Sequence, residues 1–216
     1  MTFLQAPEVP GKRIFENFNL MPSGALPSSW IVKIIQNQGP EVINSYVRNS
    51  QTTSFNSNSR SMIAPDDVLE TDDQIIMGTT RTVMNGLLSG IFLRSDPTLN
   101  DCVLAIMSTT DNQRGIYLMV GGVTTRKATY SPRYVTGETW ALKAEGSLYS
   151  LIQNPNSDGT GGEVLTTWND VNGESYSGSD FRHGGFFLNS DRNAFGQRNY
   201  SAALDDYDFR DLTWIP

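Results

Sequence analysis

The chain has 216 residues, 38% of them hydrophobic and 10% aromatic, enough to bury one large core, and an all-β sandwich of this length is ordinarily a single domain. Charged residues make up only 18% and the net charge is -7, which disfavours nucleic acid, an anionic membrane surface and acidic substrates as partners. A single cysteine, Cys102, excludes an internal disulfide, and a single histidine, His183, excludes a multi-histidine metal centre.

Residues 1–12 carry Pro7, Pro10 and Gly11 and are predicted to form an extended N-terminal arm, with the jelly-roll domain running from 13 to 216. Phe3 and Leu4 on that arm have no place in a two-sheet core, so they are expected to cover a neighbouring surface. Arg13 to Leu20 is the first predicted strand. A turn-rich link follows from Met21 to Trp30, and then Trp30 to Ile35, with Trp30, Val32 and Ile34 on one face. Asn49 to Arg60 is polar and is expected to be a loop. Further strands are predicted at Gln74 to Val83, Ser89 to Arg94, Asp101 to Ser108, Gly115 to Val120, Val123 to Tyr130, Thr139 to Ala144, Leu148 to Gln153, Glu163 to Trp168 and Phe181 to Leu188, each bounded by Gly, Asn, Asp or Pro.

The last strand lies within Ser201 to Trp214. From Asp206 to Arg210 polar and apolar residues alternate, which sends Tyr207 and Phe209 to one face and Asp206, Asp208 and Arg210 to the other. At Asp211-Leu212 the parity changes, indicating a bulge or a terminus packed elsewhere, and Trp214 and Ile215 are expected to meet a neighbour. The pairing partner of this strand is expected to be the first one, which joins the two ends of the chain. No segment sustains a helical period over three turns, so about a dozen strands should divide into two facing antiparallel sheets, an all-β jelly-roll sandwich.

Little catalytic chemistry is encoded. There is no GxSxG elbow, no GxxxxGK loop and no GxGxxG fingerprint, and His183 reads as a residue making a local hydrogen bond. Cys102, within Cys102-Val103-Leu104-Ala105-Ile106, reads as a buried strand residue. The loop Asn154-Pro155-Asn156-Ser157-Asp158-Gly159 has the alternating oxygens of a calcium loop, but Leu165 stands where the bidentate carboxylate would be, and the same residues make a hairpin tip. No cofactor is therefore expected. No basic segment followed by an apolar core opens the chain, which predicts synthesis in a cytosol without membrane insertion.

Five pieces in order carry a resemblance: Phe15-Glu16-Asn17-Phe18-Asn19 with Gly24-Ala25-Leu26 and Trp30, then Gly90-Ile91-Phe92-Leu93-Arg94, Thr139-Trp140-Ala141-Leu142-Lys143-Ala144-Glu145-Gly146, Arg182-His183-Gly184-Gly185-Phe186, and Leu204-Asp205-Asp206-Tyr207-Asp208-Phe209. In that order and spacing the sequence resembles the concanavalin A-like lectin/glucanase domains of minor tail and other virion structural proteins of bacteriophages. The resemblance implies a structural, adhesion or assembly role in a virion, on the tail or capsid surface, as part of a homo-oligomer or among other virion proteins. The fold also includes glycoside hydrolases with an E-x-D-x-E strand; here Glu70-Thr71-Asp72-Asp73-Gln74 places Gln74 where the last carboxylate is needed, and an amide cannot protonate a leaving group. No enzymatic activity is expected, and the cluster Asp205, Asp206 and Asp208 reads as a solvated strand face. The alternative is a carbohydrate-binding module that touches a host envelope saccharide, with Tyr130, Tyr134, Trp168, Tyr176 and Tyr200 as candidate stacking rings.

Overall fold

The computed structural model describes residues 11–50, 54–82, 87–108 and 111–214. Its strands in chain order are β1 (Arg13–Glu16), β2 (Trp30–Gln36), β3 (Pro40–Ile43), β4 (Tyr46–Asn49), β5 (Ser57–Pro65), β6 (Gln74–Thr82), β7 (Ser89–Ser95) and β8 (Cys102–Met107). They continue with β9 (Gly115–Val120), β10 (Val123–Ala128), β11 (Thr139–Glu145), β12 (Leu148–Gln153), β13 (Glu163–Asn169), β14 (His183–Arg192), β15 (Arg198–Tyr200) and β16 (Ala203–Asp211). Only three short 3-10 turns interrupt them among the described residues.

Two antiparallel sheets result, each of eight strands. The first runs β13-β12-β11-β6-β16-β4-β3, with β1 also on β16; the second runs β10-β9-β8-β7-β14-β5-β2, with β15 on β14. This is the expected jelly-roll sandwich. The layer between the sheets is filled by alternate residues of both: Ile76, Leu142, Tyr207 and Phe209 from one side meet Ile63, Ile91, Val103, Phe186 and Leu188 from the other. A second apolar cluster, with Met62, Phe92, Cys102 and Leu104, lies on the outer face of the second sheet, and Cys102 is buried there as expected. No helix of the described residues is long and apolar enough to cross a membrane.

The two ends of the chain do meet. β1 pairs with β16 in the register Arg13↔Arg210, Ile14↔Phe209, Phe15↔Asp208 and Glu16↔Tyr207. The first strand is shorter than expected, because Asn17 caps a 3-10 turn over Phe18–Leu20 by accepting from Asn19 N, and Phe18 drops into the core against Trp30. The bulge also lies elsewhere, between Asp205 and Asp208, where Asp206 takes a left-handed φ of 51°. It brings Leu204 and Tyr207, three apart in sequence, onto the same core-facing side.

Of the expected loop Asn49 to Arg60, residues 54–56 do form a turn, but Asn49 ends β4 and residues 57–60 begin β5. Its buried polar side chains pair with one another: Ser61 Oγ donates to Asn49 Oδ1 at 2.6 Å and Asn49 Nδ2 to Ser190 Oγ at 3.4 Å.

Around β14 the packing demands glycine. A Cβ on Gly184 would lie 2.7 Å from the Phe209 ring, and one on Gly185 would lie 1.8 Å from the Ile63 carbonyl oxygen. The Gly184 carbonyl in turn accepts from Tyr207 Oη at 2.8 Å. His183 is buried beside it and donates from Nδ1 to the Pro65 carbonyl at 3.3 Å, the local bond expected of it.

Phe209 thus sits where both sheets and both chain ends meet. Replacing it with Ala should cost about 3–5 kcal/mol in equilibrium unfolding, the range for emptying an aromatic core position; a loss under about 1 kcal/mol would mean that β16 does not close the core.

Candidate functional site

The outer face of the first sheet carries the chemistry. Because Tyr207 and Phe209 point inward, Asp208 and Arg210 point outward. They are nevertheless buried, which corrects the expected solvated face. The Asp208 carboxylate accepts from Arg13 Nε at 3.0 Å and Nη2 at 2.7 Å, a bidentate pair, and from Arg210 Nη2 at 2.8 Å. One carboxylate therefore holds together two guanidinium groups that the register places side by side. Asp205 is buried as well and bonds Arg81 Nε at 2.9 Å, while Arg81 also reaches Asp206 at 3.4 Å. Burial pulls the Arg210 guanidinium below its ordinary range, and adjacent Asp208 opposes that shift.

Aromatic rings flank the cations. After β16 a turn, closed by Trp214 N donating to the Asp211 carbonyl at 3.1 Å, swings the Trp214 ring back over Arg13 and Arg210, at 4.9 and 5.2 Å. The Phe15 ring lies 4.7 Å from the Arg13 guanidinium and is 49% exposed. Trp214 was expected to point to a neighbour; its half-buried ring rests on its own chain instead, with Leu212 beside it packed against the cluster of Ile75, Met77, Ala141 and Ile152. Phe3, Leu4 and Ile215 lie outside the described residues.

The β12–β13 connection folds over the same face. Arg210 Nη2 donates to the Ser157 carbonyl, and a Cβ on Gly159, whose φ is 81°, would meet Ile75 Cδ1 at 3.0 Å. Asp158 accepts from Thr160 N at 2.9 Å and Oγ1 at 2.6 Å, and these bonds lower its carboxyl below the usual range. Asn154 Oδ1 accepts from Thr139 N at 3.2 Å. The oxygens that suggested a calcium loop thus brace a hairpin. Among the described residues no three His, Cys, Asp or Glu side chains converge as a metal site.

Between this hairpin, β1 and the C-terminal turn runs a groove made of adjoining hollows. One of about 270 Å³ is bordered by Phe15, Thr79, Thr139, Asn156 and Asp206. Another of about 160 Å³ lies beside Trp214 and Asp158, and a third of about 240 Å³ continues past Trp214 towards Lys143 and Glu145. Ring faces beside fixed hydroxyl, amide and carboxylate groups suit a ligand that is apolar on its faces and hydroxylated at its edges. Asp208 has its oxygens occupied by three N–H donors, so it anchors the groove. A larger hollow of about 450 Å³ lies on the other side of Phe15, but apart from Ser29 its side-chain polar groups are the carboxylates of Glu16, Asp66 and Asp67. Its indole, Trp30, is spent on Phe18 and Tyr207.

The five candidate rings are not brought together. Tyr130 and Tyr134 are 6% and 1% exposed: Tyr130 packs on Trp140 and donates to the Ile106 carbonyl at 3.2 Å, and burial pushes the Tyr134 phenol up to about 12. Core packing leaves neither a ring face for a ligand, so these two assignments are corrected. Trp168 is half-buried and stacked on Tyr149 at 5.0 Å, with Lys127 Nζ 5.5 Å from its ring. Tyr176 is exposed and stacked on Phe181 at 4.9 Å. Tyr200 lies under the Arg48 guanidinium at 4.2 Å. Sequence reasoning missed Phe15, Arg13 and Thr79, although alternation in Arg13-Ile14-Phe15-Glu16 already sets Phe15 opposite inward Ile14. In the segment Glu70 to Gln74, Asp72 pairs with Arg182 at 3.1 Å, and Gln74 is buried, bonding Arg94 N and the Thr71 carbonyl.

No protein-family model matches the sequence, and no curated protein matches it. Solved structures do resemble the fold. The CBM2 module of the evolved Dit of Lactobacillus casei BL23 phage J-1 superposes with a TM-score of 0.59 at 11% identity, covering 96% of this chain and all, 100%, of that one. The exoplasmic/lumenal domain of VIP36 in its Ca2+/Man-bound form gives a TM-score of 0.55 at 11% identity, over 91% of this chain and 88% of that one. Its metal-free form gives 0.54 at 10%, over 92% and 94%. At such identities the likeness is one of fold, the lectin-like jelly roll.

Removing the Asp208 carboxylate would leave two guanidinium groups, one of them buried, without their counter-ion. Asp208→Ala should therefore destabilise the chain by about 3–5 kcal/mol in chemical unfolding, as for a broken buried pair, and a loss no larger than that of a surface substitution would refute its anchoring role.

Proposed function

We propose that the chain is a saccharide-binding module that a phage particle uses to contact the host envelope, and that it is not an enzyme. The groove over β1, β6, β11 and β16 carries the reading: Phe15 and Trp214 offer rings for the apolar face of a sugar, and Thr79, Thr139, Asn156 and Asp206 offer edge groups for its hydroxyls. Support comes from the neighbours in fold, one a carbohydrate-binding module of a phage protein and one a lumenal domain seen with mannose. Binding is put ahead of a purely structural role because rings and hydrogen-bonding groups line one open groove. Adhesion within a virion, among other virion proteins and in a homo-oligomer, is the setting in which such a module would work. The N-terminal arm with Phe3 and Leu4, and Ile215 at the other end, are proposed as its contacts there.

A glycan array on the full chain, followed by calorimetry on the best ligand, tests this. Phe15→Ala and Trp214→Ala should each weaken binding about tenfold, near 1.4 kcal/mol, with the melting temperature nearly unchanged for Phe15→Ala. Binding of no glycan by the intact chain, or binding that both variants retain in full, would refute the groove.

The same ligand should emerge uncleaved. Release of reducing ends from host polysaccharide that disappears in the Glu70→Gln/Asp72→Asn double variant would overturn the non-enzymatic reading.

A further inference from the structure

The groove over the first sheet has a length as well as a lining, and the length sets what it can take. Two walls face each other along it. One is the β12–β13 hairpin, whose residues border the hollows in chain order: Asn156 and Ser157 the first, Ser157 and Asp158 the second, Asp158 to Thr160 the third. The other wall runs from Phe15 through Arg13 to Trp214. Arg13 borders the first and second hollows and Trp214 the second and third, so neighbouring hollows share a lining residue on both sides and form one trough.

The floor follows the strands. Met77 and then Ile75 of β6 line it, and pairing with β11 sets Thr139 beside Thr79 at one end and Lys143 beside Ile75 towards the other. From Thr139 in the first hollow to Glu145 in the third, β11 runs seven residues, about 20 Å of strand. One pyranose ring would fill a single hollow and leave the other two to water. Neither end is walled off: the Asp206 side chain at one end is 37% exposed and that of Glu145 at the other 60%. A chain seated in the trough can therefore continue beyond it in both directions. The rings are spaced to match, since Phe15 and Trp214 both lie on the Arg13 guanidinium, at 4.7 and 4.9 Å, so at most about 10 Å separates them. They border different hollows, and so meet neighbouring sugar units and not two faces of one.

We propose that the trough takes an internal stretch of a linear polysaccharide, at least three sugar units long, one to each hollow. The inference rests on the saccharide reading of the groove and adds the length and continuity of the ligand.

Calorimetry of the full chain against size ladders tests it, using gluco-, manno-, galacto- and N-acetylglucosamine oligosaccharides of one to six units with their parent polysaccharides. In the series that binds, affinity should climb about a hundredfold from mono- to trisaccharide and then level off. Capping the reducing end as a methyl glycoside should change nothing, and the parent polymer should bind as tightly per site. Thr139→Val and Lys143→Ala each remove a polar group from one end of the trough. A disaccharide can use whichever pair of hollows is intact, whereas a trisaccharide cannot, so each variant should lower the ratio of trisaccharide to disaccharide affinity about tenfold. A merely structural effect would weaken both ligands alike. Thermal unfolding checks that each variant is folded, and Lys143→Ala, at a side chain 30% exposed, serves if Thr139→Val is not. A monosaccharide bound as tightly as a trisaccharide, binding lost on capping, or a ratio unmoved in the folded variants would overturn this inference and leave the saccharide reading standing. Binding of no ladder and no parent polymer would overturn both.

Discussion

The structure depends on the carboxylates of its last strand. Asp211, wholly buried, accepts four hydrogen bonds: from Lys12 N at 2.7 Å, Glu70 N at 3.1 Å, Thr71 N at 2.8 Å and Thr71 Oγ1 at 2.6 Å. One side chain thus ties the start of the first strand, the β5–β6 link and the end of the last strand into one corner. Three residues earlier Asp208 does the same for Arg13 and Arg210 on the opposite face. A strand that is amphipathic in the usual sense would expose its polar side. Here that side is capped by side chains from elsewhere in the sequence, so both faces of β16 are interior.

That arrangement marks how far the sequence could be read. The alternation of Asp206 to Arg210 correctly assigns inward and outward residues, and the parity change at Asp211-Leu212 correctly sends Leu212 away from the core. The fate of the outward side was not legible, since Arg13 is 195 residues from Asp208 and no local pattern reports such a partner. Most strands of the second sheet were legible because they are apolar runs between turns. β4 and the first half of β5 were not, because Asn49, Ser59 and Ser61 are buried by bonding other polar groups and leave no hydrophobic period. Tyr130 and Tyr134 mark a further limit. An aromatic residue near a turn reads the same whether its ring caps the core or faces water.

The groove follows from the same corner. Pairing β1 with β16 places Phe15 opposite Asp208, and the turn after Asp211 returns Trp214 to the far side of Arg13. Neither ring is part of the core between the sheets, and in the proposed saccharide reading each would face the ligand while the guanidinium groups hold its orientation. Recognition surfaces on mobile side chains lose affinity to the entropy of fixing them. Rings already seated on carboxylate-bound cations, of which Arg210 is buried, have lost part of that freedom on folding.

Arg210 carries this coupling one step further. Its guanidinium bonds Asp208, touches the Trp214 ring and donates to the Ser157 carbonyl of the hairpin that walls the groove. The wall, one stacking ring and the anchoring carboxylate therefore share a single residue. A lysine there would keep the charge but lose the planar fork that reaches several partners at once. The groove is thus built from contacts that form when the two ends of the chain pair, with Arg210 joining its wall, one of its rings and its carboxylate.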